Sequence, residues 1–219
     1  MPPAIVFDLD GTLIHSAPDI HLAVTWLLDK EGLPPLDLPT VTSFIGNGLP
    51  KLTERVMRAR DIDLDRHEEL SAALLEKYNA VNGTLTRLYP GVEDASKTLA
   101  ASGHPSGMCT NKPYVPSRDV LEHFSLTGFF GAVVGGDTLA VKKPAPDGLH
   151  LTFEKLGRPG IYVGDSEVDA ATAQAAGVPF ALFSGGYRKT PVSDLPHDVL
   201  FDDFADLPGL IETLAKRVA

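Results

Sequence analysis

The chain has 219 residues, 43% of them hydrophobic and 22% charged, which is ordinary for a globular protein with one large core or a core plus a smaller domain. Its formal charge of −10 argues against nucleic acid or an anionic membrane as main partner, although a metal and a few Lys or Arg side chains still hold an anionic substrate locally. One cysteine, Cys109, rules out an internal disulfide, no signal-peptide pattern opens the chain, and no apolar run approaches the roughly 20 residues that span a bilayer, so a cytoplasmic protein is expected.

An apolar run at 5–7 leads straight into Asp8-Leu9-Asp10-Gly11-Thr12-Leu13. Two acids at alternate positions past a buried-type strand face one site. Crowded carboxylates repel and raise each other's pKa, so a cation is their natural partner. From there to Leu88 no strand-like run appears. Ser16-Ala17-Pro18-Asp19 reads as a capping-box start for a helix reaching Lys30, and 49–60 and 65–81 carry two more helical patterns. That is too long for a crossover connection. Residues 15–85 are therefore read as an inserted helical domain on a core made of 1–14 and 86–219, connected through 14–17 and 85–91. Within the insert, Gly46-Asn47-Gly48 is a turn ahead of Lys51 and Arg55, which lie one helical turn apart. It reads equally as a plain turn or as a loop that closes on substrate.

Beyond residue 91, apolar runs at 107–109, 132–134, 161–163, 180–183 and 199–201 alternate with helical patterns at 92–102, 116–124, 146–156 and 170–176. The runs do not alternate polar with apolar, which suits strands buried on both faces. Gly103, Gly157 and Gly177 stand where a helix end favours positive φ. The alternation predicts an α/β protein with a parallel sheet.

In such a sheet, ligands bind beyond the carboxyl ends of the strands. Asp8 and Asp10, Thr110-Asn111-Lys112, and Gly164-Asp165-Ser166-Glu167-Val168-Asp169 all fall there, with Lys142-Lys143-Pro144 in a neighbouring loop. A phosphate ester and a carboxylate nucleophile are both anionic, and a Mg²⁺ held by oxygen ligands removes their repulsion. Asp8 is the candidate nucleophile, giving an aspartyl-phosphate that water hydrolyses. Asp10 is the candidate acid for the leaving oxygen and then base for the water. Thr110 and Lys143 offer a hydroxyl and a charge to the transferring phosphoryl group. Asp165 would bind the metal, and Asp169 would complete the site directly or through water. Each residue also has a structural reading: turn or cap acids for Asp8, Asp10 and Asp169, an N-cap for Ser166, a satisfied hydroxyl for Thr110, loop charges for Lys142, Lys143 and Asp137. Cys109 reads as a small buried strand residue.

Asp8-x-Asp10-Gly-Thr, Thr110, Lys143-Pro144 and Gly164-Asp165-x3-Asp169 resemble, in order and spacing over the whole chain, the four motifs of the haloacid dehalogenase superfamily. Ser16-Ala17-Pro18-Asp19, Gly46-Asn47-Gly48-Leu49-Pro50-Lys51, Tyr89-Pro90-Gly91-Val92, Cys109-Thr110-Asn111-Lys112 and Lys143-Pro144-Ala145-Pro146 are similar to its phosphoglycolate phosphatase branch. The resemblance implies a Mg²⁺-dependent hydrolase with a helical cap over a Rossmann-like core. It would act on a small phosphorylated metabolite, foremost 2-phosphoglycolate, as a monomer or homodimer. Asp8, Asp10, Asp165 and Asp169 would surround the metal, Asp10 through its backbone carbonyl. Asn111, Gly46, Asn47, Lys51 and Arg55 join Thr110 and Lys143 as candidate substrate contacts. His15 stands where Asp is common in that branch, which bears on the hinge. A phosphatase for sugar phosphates or pyrophosphate and a phosphomutase stay open. A dehalogenase would leave Asp10 nothing to protonate, and a non-catalytic phosphate-binding protein would lack Asp8 or Asp10.

Overall fold

The structure is a computed structural model that describes residues 1–218. The chain opens with β1 (Ala4–Phe7) and the short β2 (Ile14–His15). Four helices follow: α1 (Ala17–Lys30), α2 (Leu38–Thr42), α3 (Leu49–Ala59) and α4 (His67–Val81). The two-residue β3 (Arg87–Leu88) and α5 (Val92–Ala101) lead to β4 (Ser106–Cys109), α6 (Tyr114–His123) and β5 (Phe130–Val134). Then come α7 (Asp147–Leu156), β6 (Gly160–Gly164), α8 (Glu167–Ala176), β7 (Phe180–Phe183), β8 (Val199–Phe201) and α9 (Leu207–Ala215).

Six strands pair in parallel in the order β5-β4-β1-β6-β7-β8. All four residues of β1 are buried, as its apolar run requires of a strand covered on both faces. Its alternate residues feed two clusters. Ile5 and Phe7 pack with Leu99, Ile211 and Leu214 on one side, and Ala4 and Val6 with Leu149, Phe153 and Ala170 on the other. After β1 the order runs outward to β4 and β5, then restarts at β6 on the other flank. The carboxyl end of β1 therefore opens at the switch point where ligands bind in such sheets. Gly157 and Gly177 take φ of 72° and 66° and close α7 and α8.

The helices between β2 and β3 share a hydrophobic cluster of their own, including Val24, Leu28, Val56, Met57, Leu70 and Leu74. On α3 the buried residues Leu52, Thr53, Val56 and Met57 recur at helical spacing, which leaves Lys51, Glu54 and Arg58 outward. Among the described residues, no helix is long and apolar enough to cross a membrane.

The structure corrects three sequence expectations and adds two helices. The stretch between Ile14 and Leu88 is not free of strands, because β2 and β3 form an antiparallel ladder pairing Ile14 with Leu88 and His15 with Arg87. Ser16 and Asp19 do not form a capping box. Ser16 Oγ is buried without a partner, and Asp19 turns to the far connection. There its Oδ2 accepts from Gly83 N, Thr86 N and Thr86 Oγ1 at 2.9, 3.1 and 2.6 Å, and its Oδ1 accepts from Leu85 N at 2.7 Å. Helix α8 starts at Glu167 rather than 170, because Ser166 and Asp169 cap it reciprocally. Helices α2 and α9 were outside the sequence reading: α2 is one short turn, and α9 opens with a proline that is legitimate in a first turn.

Candidate active site

Asp8 is the first residue past β1, and its N–H still bonds Val163 O at 2.9 Å, so the sheet itself fixes the carboxylate. The chain then folds back: Thr12, Leu13 and Ile14 all donate to Leu9 O. Gly11 has φ +89°, and a Cβ there would lie 2.5 Å from Asp165 Oδ2. Glycine is required on both counts. Thr12 Oγ1 donates to Asp165 Oδ1 at 2.9 Å, and Tyr187 N, from the loop after β7, to Asp165 Oδ2 at 2.6 Å.

Asp8, Asp165 and Asp169 are buried and each offers an oxygen within 4.8 Å of the others. Lys143 Nζ lies 2.9 Å from Asp8 Oδ1, 2.7 Å from Asp169 Oδ1 and 2.8 Å from the Tyr162 hydroxyl. The contact to Asp8 is an ion pair off the hydrogen-bonding angle, so this Asp8 oxygen keeps its lone pairs. Asp169 has none to spare. Its Oδ1 also accepts from Tyr162, and its Oδ2 from Asp165 N, Ser166 N and Ser166 Oγ at 3.2, 3.1 and 2.7 Å. Asp169 thus orients Lys143 and the Asp165 backbone.

The charges do not balance. Burial, opposed by Lys143 and reinforced by Asp169, pushes the Asp8 carboxyl up to about 6. Burial, then Asp169 and Asp8, raises Asp165 well above the carboxylate range. Burial works against the charge on Lys143, but Asp169 and Asp8 outweigh it and hold the ammonium above its usual range. Three buried acids against one buried ammonium leave room for positive charge. Hard oxygen donors with free lone pairs fit a divalent cation of the Mg²⁺ or Ca²⁺ kind.

Asp10 stands apart from this trio. Its carboxylate faces Lys112, whose Nζ is 3.5 Å from Asp10 Oδ1 and touches the Tyr78 hydroxyl of α4. Burial lowers the Lys112 pKa while Asp10 opposes. Thr110, Asn111 and Lys112 follow β4 into a cleft with Asp8 and Asp10. Its other wall is apolar and comes from the inserted segment: Ile20, Ile45, Leu49, Leu52 and Leu74. The cleft is a concave pocket with few polar groups converging on an apolar wall, as small-molecule sites are.

Of the expected substrate contacts, the structure brings Thr110, Asn111 and Gly46 to the cleft and leaves others outside. Asn111 is occupied structurally: it receives Lys143 N at 3.0 Å and donates to Lys143 O and Gly46 O, both at 3.1 Å. Arg55 donates to Phe44 O at 2.6 Å and to Asn47 Oδ1 at 2.7 Å, so this pair braces the 46–48 turn from behind. Lys51 is half exposed and pairs with Glu54 at 2.6 Å. Asp137 accepts from Tyr114 N at 2.7 Å, as a loop acid. Sequence reasoning passed over Lys112 and Tyr187. Lys112 stood in the Thr110-Asn111-Lys112 signal, but nothing local shows that its side chain turns inward. Tyr187 carried no signal at all.

A haloacid dehalogenase-like hydrolase model matches residues 5–183. A phosphoglycolate phosphatase of Cereibacter sphaeroides ATCC 17029 is 50% identical over 215 residues, 97% of this chain and 99% of that protein. One of Rhodobacter capsulatus is 43% identical over 216 residues, covering 97% and 98%. A crystal structure described as a predicted phosphoglycolate phosphatase from Haemophilus somnus 129PT superposes with a TM-score of 0.88 at 30% identity, covering 95% of this chain and 97% of that one.

Proposed function

The chain belongs to the haloacid dehalogenase-like hydrolases, and on that premise we propose that it is a cytoplasmic, Mg²⁺-dependent phosphomonoesterase that turns 2-phosphoglycolate and water into glycolate and phosphate. The carrying observation is the buried trio Asp8, Asp165 and Asp169 with Lys143, set at the end of the central strand beneath a cleft that also holds Asp10. The relatives named phosphoglycolate phosphatase, matched over nearly the whole chain, support the substrate.

Asp8 and Asp165 would hold the metal, with Asp169 behind them. Bound Mg²⁺ supplies charge that offsets the repulsion between phosphate and Asp8. Asp8 attacks phosphorus as the ester P–O bond breaks, and Asp10 gives its proton to the leaving glycolate oxygen. Asp10 then takes a proton from the water that attacks the aspartyl-phosphate, and Asp8 is restored. Thr110 and Lys143 hold the phosphoryl oxygens. Residues 15–85 act as the cap over the core of 1–14 and 86–219. Its apolar wall keeps bulk water from the intermediate. The carboxylate at the substrate's far end needs a cation, and Lys112 is the only Lys or Arg among the described residues lining the cleft.

The test is phosphate release from a metabolite panel. Phosphoglycolate should lead, activity should vanish with EDTA, and Asp8→Asn should abolish turnover. Full activity in metal-free buffer or in Asp8→Asn would overturn the mechanism; a different leading substrate would overturn only the substrate.

A further inference from the structure

Asp165 is held by two loops. Thr12 grips one oxygen, and the backbone N–H of Tyr187 grips the other. The second loop has no slack, because a Cβ on Gly185 would lie 2.6 Å from the Phe183 ring and one on Gly186 would collide with Asp165 itself. At its other end Tyr187 leaves the core. Its buried ring packs into the cluster formed by the inserted helices. Its hydroxyl oxygen accepts from Ala17 N at 3.0 Å, at the start of α1, and lies 3.0 Å from His15 Nδ1 in β2. One hydroxyl thus meets both the start of α1 and the end of β2. Burial lowers the His15 pKa, which favours the neutral imidazole. The ladder from His15 to Arg87 then joins this point to the second connection.

One residue therefore spans from the metal-site acid to the point where the inserted helices attach. We propose that Tyr187 is a positioning residue that ties the orientation of Asp165 to the seating of the cap, with His15 as its partner on the cap side. A shift of the first connection moves Ala17 and His15, draws the Tyr187 hydroxyl with them, and reaches Asp165 through the Tyr187 backbone. Cap seating and metal affinity are then two readings of one contact network. The proposal rests on the reading of Asp8, Asp165 and Asp169 as a Mg²⁺ site.

The test is Mg²⁺ binding to the full chain by titration calorimetry, independent of turnover, with His15→Leu, His15→Asn, Tyr187→Phe and the double variant His15→Leu/Tyr187→Phe. Groups that orient a metal ligand are worth roughly 10–100-fold in affinity. His15→Leu and Tyr187→Phe should each weaken Mg²⁺ binding by about 10-fold, the low end of that range. The double variant should lose no more than Tyr187→Phe alone, since removing the hydroxyl already removes the His15 contact. His15→Asn offers an oxygen near the place of Nδ1 and should restore most of the affinity. Unchanged affinity in His15→Leu, or losses that add in the double variant, would overturn the coupling. If Tyr187→Phe fails to fold, His15→Leu against His15→Asn still decides. Absence of Mg²⁺ binding by the unaltered chain would instead overturn the metal-site reading, and the coupling with it.

Discussion

Asp10 and Lys112 face each other across 3.5 Å, and the pair sets two chemical tests at the mouth of the cleft. A general acid contributes about 10²–10⁴-fold. Asp10→Asn should therefore cost far more on alkyl phosphates, whose leaving oxygen needs a proton, than on activated aryl phosphates; equal losses on both would leave Asp10 a structural acid. Lys112→Met removes the buried cation proposed to meet the substrate carboxylate. Hydrogen bonds to charged groups are worth about 1.5–3 kcal/mol, so kcat/KM for phosphoglycolate relative to a neutral aryl phosphate should fall by about tenfold or more. Lys51→Ala should leave that ratio unchanged, because Lys51 is paired with Glu54 at the surface. A ratio that responds to Lys51 and not to Lys112 would reverse the assignment. The sequence made Asp8, Asp10, Asp165 and Asp169 legible because acids at the ends of core strands have few structural uses. It placed Lys51 and Arg55 on one helix face, yet helical spacing does not tell which way that face turns. Arg55 spends its donors on Phe44 O and Asn47.

At the scale of elements, the strands β1, β4, β6 and β7 were readable because parallel strands covered on both faces must be continuously apolar, while the edge strands β5 and β8 kept an apolar run though partly exposed. The ladder of β2 and β3 was not, since two residues carry no periodicity. The Ser16-x-x-Asp19 spacing is that of a capping box, but the acid is claimed by donors 64 to 67 positions away in the chain. Local pattern has no access to such a partner. Asp19 accordingly acts as the clasp between the two connections. Asp19→Ala would leave three backbone N–H groups and the Thr86 hydroxyl without their acceptor. Each buried donor left unpaired costs about 1–3 kcal/mol, so a loss of about 3 kcal/mol or more is expected in urea unfolding. A loss under about 1 kcal/mol would mean that water replaces the carboxylate and that the clasp contributes little.

For the molecule as a whole, the surplus of buried negative charge couples stability to both pH and metal. Without a cation, Asp8 has its pKa pushed up to about 6 from an ordinary 3.8. The folded state then binds more protons than the unfolded one between those values, so this site's contribution to stability falls as pH rises from about 4 through 6. A bound divalent cation requires the ionised carboxylates and reverses the trend. Thermal unfolding in EDTA and in Mg²⁺ should therefore give two curves whose separation widens with pH up to about 7. The difference cancels titrations elsewhere in the chain. At 100 times its dissociation constant, a ligand adds about 2.7 kcal/mol, and in a chain of this size that raises Tm by roughly 5–10 °C. Asp165→Asn should collapse the two curves onto each other. Curves equally far apart at pH 5 and pH 7.5, or a Mg²⁺ effect that survives Asp165→Asn, would place the stabilising cation somewhere other than between Asp8 and Asp165.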